Sequence, residues 1–196
     1  MSLILGSASP RRVALLGELG VAFTVYASDI AEVPAAGESA ETFAMRAARE
    51  KGAAVATARP GAWVLAADTV VVVDDAILGK PADAAEARAM LRRLSGRAHE
   101  VLTAVALIAP DGVLAEQVLG RSGVQFRSLA EAEIAAYVAS GEPADKAGAY
   151  AIQGGAAGFV QRVVGSMTNI IGLPLDDVGA MLARHGLMAA AAAASR

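Results

Sequence analysis

The chain has 196 residues, 55% of them hydrophobic, and a formal net charge of −3. That length suits one domain, that apolar fraction excludes a disordered chain, and that charge argues against the broad basic face a general nucleic-acid binder needs. With no cysteine and only His99 and His185, disulfides, zinc–thiolate sites, thiol catalysis and multi-histidine metal sites are excluded. A local cluster of Lys and Arg can still serve a small anionic substrate. The first residues lack a basic segment followed by a long apolar run. The longest apolar stretch, Trp63–Val73, contains Asp68 and is too short for a bilayer. The expectation is a cytoplasmic protein without membrane contact.

In chain order, Leu3–Leu5 reads as a strand. Ser9 before Pro10 reads as a helix cap with proline at the first helical position, opening a helix that stops near Gly20. Residues 23–26 read as a second strand and 29–37 as a loop. Ser39 can cap a long helix to about Ala58, closed by Pro60-Gly61. Trp63–Val73, rich in valine, is one long strand or two short ones. Asp74-Asp75 turns the chain into Ile77-Leu78. Asp83 and Glu86 have capping-box spacing for a helix to about Leu94, ended at Gly96. Residues 101–108 and 113–126 read as a hairpin around Pro110-Asp111-Gly112. Ser128 and Glu131 read as a second capping box, for a helix to Tyr137 ended by Gly141. Residues 159–164 read as a strand, Leu175–Arg184 as the last helix and 189–194 as a frayed helix end. Alternating strands and helices with a hairpin imply an α/β fold, a mixed sheet flanked by helices.

Several segments carry chemistry-bearing residues. Ser7-Ala8-Ser9-Pro10-Arg11-Arg12 lies between a strand and a helix. Helix-start N–H groups, two hydroxyls and two guanidiniums suit a phosphate there; an ordinary capped helix with a solvated basic first turn reads the same residues. Asp68 interrupts an apolar run, so it is paired, metal-bound or at a bend in the strand. Lys80 follows in Gly79-Lys80-Pro81, and Lys51 lies on the long helix beside Arg46, Arg49 and Glu50; both also fit solvated surface. Glu32, in the loop after the second strand, could be a second metal carboxylate or simply exposed. Residues 140–155 are dense in glycine and polar groups, a pattern that serves function or a structural turn. Gln153 there offers the donor and acceptor that base recognition requires. His99 reads as structural. No Gly-x-x-x-x-Gly-Lys-Ser/Thr loop and no strand-borne Gly-x-Gly-x-x-Gly occurs.

Taken in order, these pieces resemble the Maf (septum-formation) family of nucleotide pyrophosphatases. The matching segments are Ser7 to Arg12, Glu50-Lys51, Ala67-Asp68-Thr69-Val70-Val71, Gly79-Lys80-Pro81, Leu94-Ser95-Gly96-Arg97 with His99, the 140–154 loop, Gly165-Ser166 and Asn169-Ile-Ile-Gly-Leu-Pro-Leu175. Gly6 and Gly52 stand where that family commonly has alanine. The resemblance implies a single domain of two lobes around a cleft, similar to the inosine triphosphatase fold, and a homodimer. It implies hydrolysis between the α and β phosphates with Mg²⁺ or another divalent cation such as Mn²⁺ or Co²⁺. Asp68 falls on the family's catalytic carboxylate, as general base or as metal ligand, with Glu32 as its acidic metal partner. Ser7, Arg11, Arg12, Lys51 and Lys80 match phosphate-handling positions. Arg12, Thr69 and Gln153 match the subgroup acting on dTTP and UTP. The alternatives are the same reaction on 7-methyl-GTP or CTP, or a non-catalytic nucleotide-binding regulator of cell division.

Overall fold

The computed structural model describes residues 2–27, 30 and 33–188. Glu32 and the 189–196 tail, both assigned from the sequence, lie outside the described residues. Seven strands are found among them: β1 (Leu3–Leu5), β2 (Thr24–Val25), β3 (Trp63–Val73), β4 (Ala76–Leu78), β5 (Ala98–Ile108), β6 (Leu114–Phe126) and β7 (Val160–Gly165). The helices are α1 (Pro10–Glu18), α2 (Ala40–Ala58), α3 (Ala84–Leu94), α4 (Glu131–Ala139), α5 (Met167–Ile171) and α6 (Leu175–Arg184).

Helix starts follow local chemistry. The Ser39 hydroxyl accepts from the Thr42 N–H at 3.2 Å and opens α2. Asp83 accepts from the Glu86 N–H at 2.8 Å, while the Glu86 carboxylate reaches back past the cap to the Ala82 N–H at 2.6 Å. Two expected caps are corrected. Ser9 precedes α1 but its side chain caps nothing; the nearby Ser7 hydroxyl accepts from the Ser9 N–H at 3.2 Å instead. For α4 the capping pair is not Ser128 and Glu131: the helix starts after Ala130, whose N–H donates to Glu133 at 2.9 Å. Glu133 also binds Arg127, while Glu131 faces away to pair with Arg92 at 2.7 Å and does not close a box with Ser128.

The sheet runs β2-β1-β3-β5-β6-β7, with β4 also on β3. β1 is parallel to β2 and β3; the other pairings are antiparallel. β3 is one continuous strand paired with β5 from Val64 to Val72. Its other edge is shared: β1 covers Trp63 to Leu65 and β4 covers Val71 to Val73. Between them, around Asp68, that edge has no strand beside it. The β3–β4 turn works because Asp74 and Asp75 both take positive φ, 48° and 59°, which Asp tolerates better than most residues.

Side chains alternate across β3 and sort the core accordingly. Val64 and Val70 pack with Leu102, Ala104 and Ala106 under α2 residues Phe43, Ala44, Ala48 and Val55. On the opposite face, Leu65 and Ala67 join Leu15 and Leu16 of α1 and Val178 and Met181 of α6. Farther along that second face, Val71 and Val73 join Leu91 and Leu94 of α3, Phe126, and Ile134 and Tyr137 of α4. Thr69 and its β5 neighbour Thr103 fall between these last two clusters. No helix among the described residues is long and apolar enough to cross a membrane.

Candidate active site

The uncovered stretch of β3 opens into a cleft of about 330 Å³. The divergence of β1 and β4 creates it. The chain leaves β1 through Gly6 and Ser7 into α1, and leaves β4 through Gly79 into Lys80, so both exits border the gap. The 145–153 segment forms a further wall. It is held there by the Gly148 N–H, which donates to the Gly79 carbonyl at 3.0 Å, and Tyr150 lines its inner side.

Asp68 lies on the α2 face of β3 and is 3% exposed. Lys51, from α2, donates to its Oδ1 at 2.6 Å. A buried carboxylate costs several kcal/mol unless paired, on the order of the penalty for removing one partner of a buried pair. The pairing explains how Asp68 can interrupt an apolar strand. It also gives Lys51, which reads equally as surface in sequence, a buried position facing the strand gap.

Thr69 points to the other face and anchors a polar row. Arg12 donates from Nη2 to Thr69 Oγ1 at 3.0 Å, from Nη1 to Ser7 Oγ at 3.2 Å and from Nε to the Gly172 carbonyl at 2.8 Å. Thr103 gives its hydroxyl proton to the Asn169 carbonyl at 2.9 Å. The 2.9 Å contact between the two threonines therefore has Thr69 as donor. Arg12, Thr69, Thr103 and Asn169 form a directed chain of hydrogen bonds, and the Asn169 amide donates onward to the Val101 carbonyl and Ser122, each at 3.0 Å. The guanidinium is thus fixed before any ligand arrives, which lowers the ordering cost of binding.

Of the residues proposed from sequence, Ser7, Arg11, Arg12, Lys51, Asp68, Thr69, Lys80 and Gln153 all line this one cleft. Glu32 lies outside the described residues. Lys146, not singled out in the sequence, also lines the cleft and is ion-paired to Asp145. Its only sequence signal was its place in the 140–155 loop. Among the described lining residues, five cations (Arg11, Arg12, Lys51, Lys80 and Lys146) face two carboxylates, Asp68 and Asp145. Such a cleft concentrates anions. His99 lies behind it, its Nε2 2.8 Å from the Tyr150 hydroxyl and its ring edge-on to Phe126. Burial pushes the His99 pKa down to about 4, as fits a neutral structural histidine.

No group of three His, Asp or Glu that could hold a metal occurs among the described residues. A magnesium-type cation does not need one, since it uses one or two carboxylates, water and substrate phosphate oxygens. Of the two carboxylates lining the cleft, Asp68 lies on β3 beside the strand gap and could contribute an oxygen to such a cation shared with substrate phosphates.

The mixed sheet with helices on both faces defines an α/β protein of HAM1-like fold. The likeness in fold covers 94% of this chain and 99% of a HAM1 protein from Coxiella burnetii, with a TM-score of 0.51 at 17% identity. The Maf-like protein family model matches residues 2–185, and the chain belongs to that family. A Myxococcus xanthus protein named dTTP/UTP pyrophosphatase is 55% identical over 94% of this chain and 93% of its own length. A Geobacter metallireducens protein of the same name is 52% identical over 90% of this chain and 92% of its own.

Proposed function

We propose that the protein hydrolyses dTTP and UTP to the monophosphate and pyrophosphate. The observation that carries the reading is the convergence of five cationic side chains on a cleft floored by the Asp68–Lys51 pair. The names of relatives about half identical over nearly the whole chain supply the substrate. A regulator that merely binds nucleotide has no need of a buried carboxylate at the strand gap.

In this reading Arg11, Arg12, Lys80 and Lys146 neutralise the triphosphate and stabilise charge on the departing pyrophosphate. Lys51 fixes the orientation of Asp68. One water attacks the α-phosphorus: its oxygen bonds there as the bond from that phosphorus to the α–β bridging oxygen breaks, one of its protons passes to the Asp68 carboxylate, and pyrophosphate leaves with the bridging oxygen. A divalent cation held by Asp68 and the phosphates would supply further charge neutralisation. Thr69, through Arg12, and Gln153 border the space for the base. The sequence reading extends the proposal to a cytoplasmic location and the family resemblance to a homodimer, which cell fractionation and sedimentation would read.

The test is to quantify phosphate products from dTTP and UTP, with and without excess chelator. Pyrophosphate should form in one step and chelator should abolish turnover. Orthophosphate released stepwise would refute the reaction, and full turnover in chelator would refute the cation.

A further inference from the structure

Gln153 is exposed in the cleft on a stretch without regular secondary structure, yet reading a base requires its amide to be held in place. The surrounding backbone is held at both ends by two side chains. The Tyr137 hydroxyl, from α4, accepts from the Ala151 N–H at 3.0 Å. The same hydroxyl donates to Glu142 Oε1 at 3.0 Å. The other carboxylate oxygen, Oε2, accepts from the Gly155 N–H at 3.0 Å. The carboxylate lies so close over the turn that a Cβ on Gly154 would meet Oε1 at 2.0 Å. Residues 151 and 155 are therefore tied to one Tyr–Glu unit, with Gln153 midway between them.

We infer that Tyr137 and Glu142 are positioning residues for base selection: they clamp the Ala151 and Gly155 amides and so fix where Gln153 meets the substrate. The inference rests on the dTTP/UTP reading above. Neither side chain lines the cleft, so the action is through the backbone. Tyr137 suits the role. Burial, with the Glu142 carboxylate beside it, pushes its phenol pKa up, so the hydroxyl keeps the proton it donates. Its ring packs edge-on to Phe159 at 5.2 Å between centroids, which anchors the unit in the core. Arg11, Arg12 and Lys80 handle the phosphates from other walls, and Lys146 lies outside the 151–155 turn on a stretch held by the Gly148–Gly79 hydrogen bond, so loss of the clamp should weaken base discrimination more than turnover.

The experiment compares Tyr137→Phe, Glu142→Ala, Gln153→Ala and Tyr137→Phe/Gln153→Ala with the parent protein on dTTP, UTP, CTP and GTP. Tyr137→Phe keeps the ring and removes two of the three hydrogen bonds. It should raise KM for dTTP and UTP by roughly 10-fold, the scale of losing a specific polar contact, with kcat changed by less than about 2-fold. Preference for dTTP over CTP should fall by a similar factor. In the Gln153→Ala background the same change should cost no further preference, because both act through one contact. Glu142→Ala tests the clamp from its other side. In each clamp variant, amide exchange at residues 151–155 should quicken while β3 and β5 stay protected. Equal loss on all four triphosphates, or an additive loss of preference in the double variant, would overturn the inference while leaving the reaction intact. An unchanged preference in Gln153→Ala would overturn base reading by Gln153 and the clamp's purpose with it.

Discussion

Asp68 could be read in the sequence as an anomaly in an apolar run, but its partner could not. Lys51 lies 17 residues earlier on α2, and a lysine among Arg46, Arg49 and Glu50 looks like solvated surface. The long helix crossing the sheet brings it to the carboxylate. The close crossing also explains Gly52, where the family commonly has alanine: a Cβ there would come 2.8 Å from Ile108. Asp68→Asn keeps the shape of the side chain and removes its ability to take a proton. It should lower kcat by roughly 10²–10⁴-fold, the scale of a lost general base, while the circular dichroism spectrum stays unchanged. Near-parental activity in that folded variant would take Asp68 out of the mechanism. Gln153→Glu tests the base-reading amide. Thymine and uracil offer carbonyl oxygens and one ring N–H, and an ionised carboxylate can accept from the second but not donate to the first. kcat/KM for dTTP and UTP should drop much more than for other triphosphates. A uniform drop would assign Gln153 to the loop or the phosphates.

At the level of elements, strands with valine-rich or alternating patterns and helices with side-chain caps were legible. β5 begins three residues earlier than its apolar run because Ala98, His99 and Glu100 pair with β6 although only part of that stretch looks strand-like. The 3₁₀ turns at Glu142–Asp145, Ala147–Ala149 and Gly155–Phe159, and short α5, were not legible. They are too short for periodicity to register, and distant contacts hold them. For the same reason Lys146 was missed: its place in the cleft depends on Gly148 reaching Gly79, 69 positions away in sequence. Gly148 has φ of +68°, and a Cβ there would meet Val71 at 2.9 Å. Gly148→Ala should therefore destabilise the fold by about 1–3 kcal/mol, combining a strained backbone with overpacking. Because the displaced turn carries Lys146, KM for dTTP should also rise. Denaturant titration and steady-state kinetics read the two effects, and parental values in both would show that the turn tolerates the methyl group.

For the whole molecule, the cleft follows from the sheet's order rather than from any one segment. Two short strands share an edge of β3 without meeting, and on one face the core is split at the Thr69–Thr103 row. The cluster beyond that row contains a titratable group that reports on folding. His99 is 4% exposed, packed against Phe126 and Tyr150, and burial lowers its pKa from 6.5 to about 4. Between those values the unfolded chain binds a proton that the folded protein does not, so stability falls as pH drops from about 6.5 to about 4. Below the folded value this group contributes no further loss. The full effect is up to about 3 kcal/mol for a shift of this size. Glu38 and Glu133 act elsewhere on the scale: their arginine partners hold them near 2, so their contribution is lost as pH falls from about 4.5 towards 2. The comparison of the parent with a variant lacking this histidine between pH 6.5 and 5 therefore reads the His99 contribution. His99→Gln keeps a polar group near the Tyr150 hydroxyl and removes the titration. Urea unfolding at several pH values in that range should give a stability that falls more steeply as pH drops for the parent than for His99→Gln. Equal slopes in the two proteins would mean that another group governs the acid side of the stability profile.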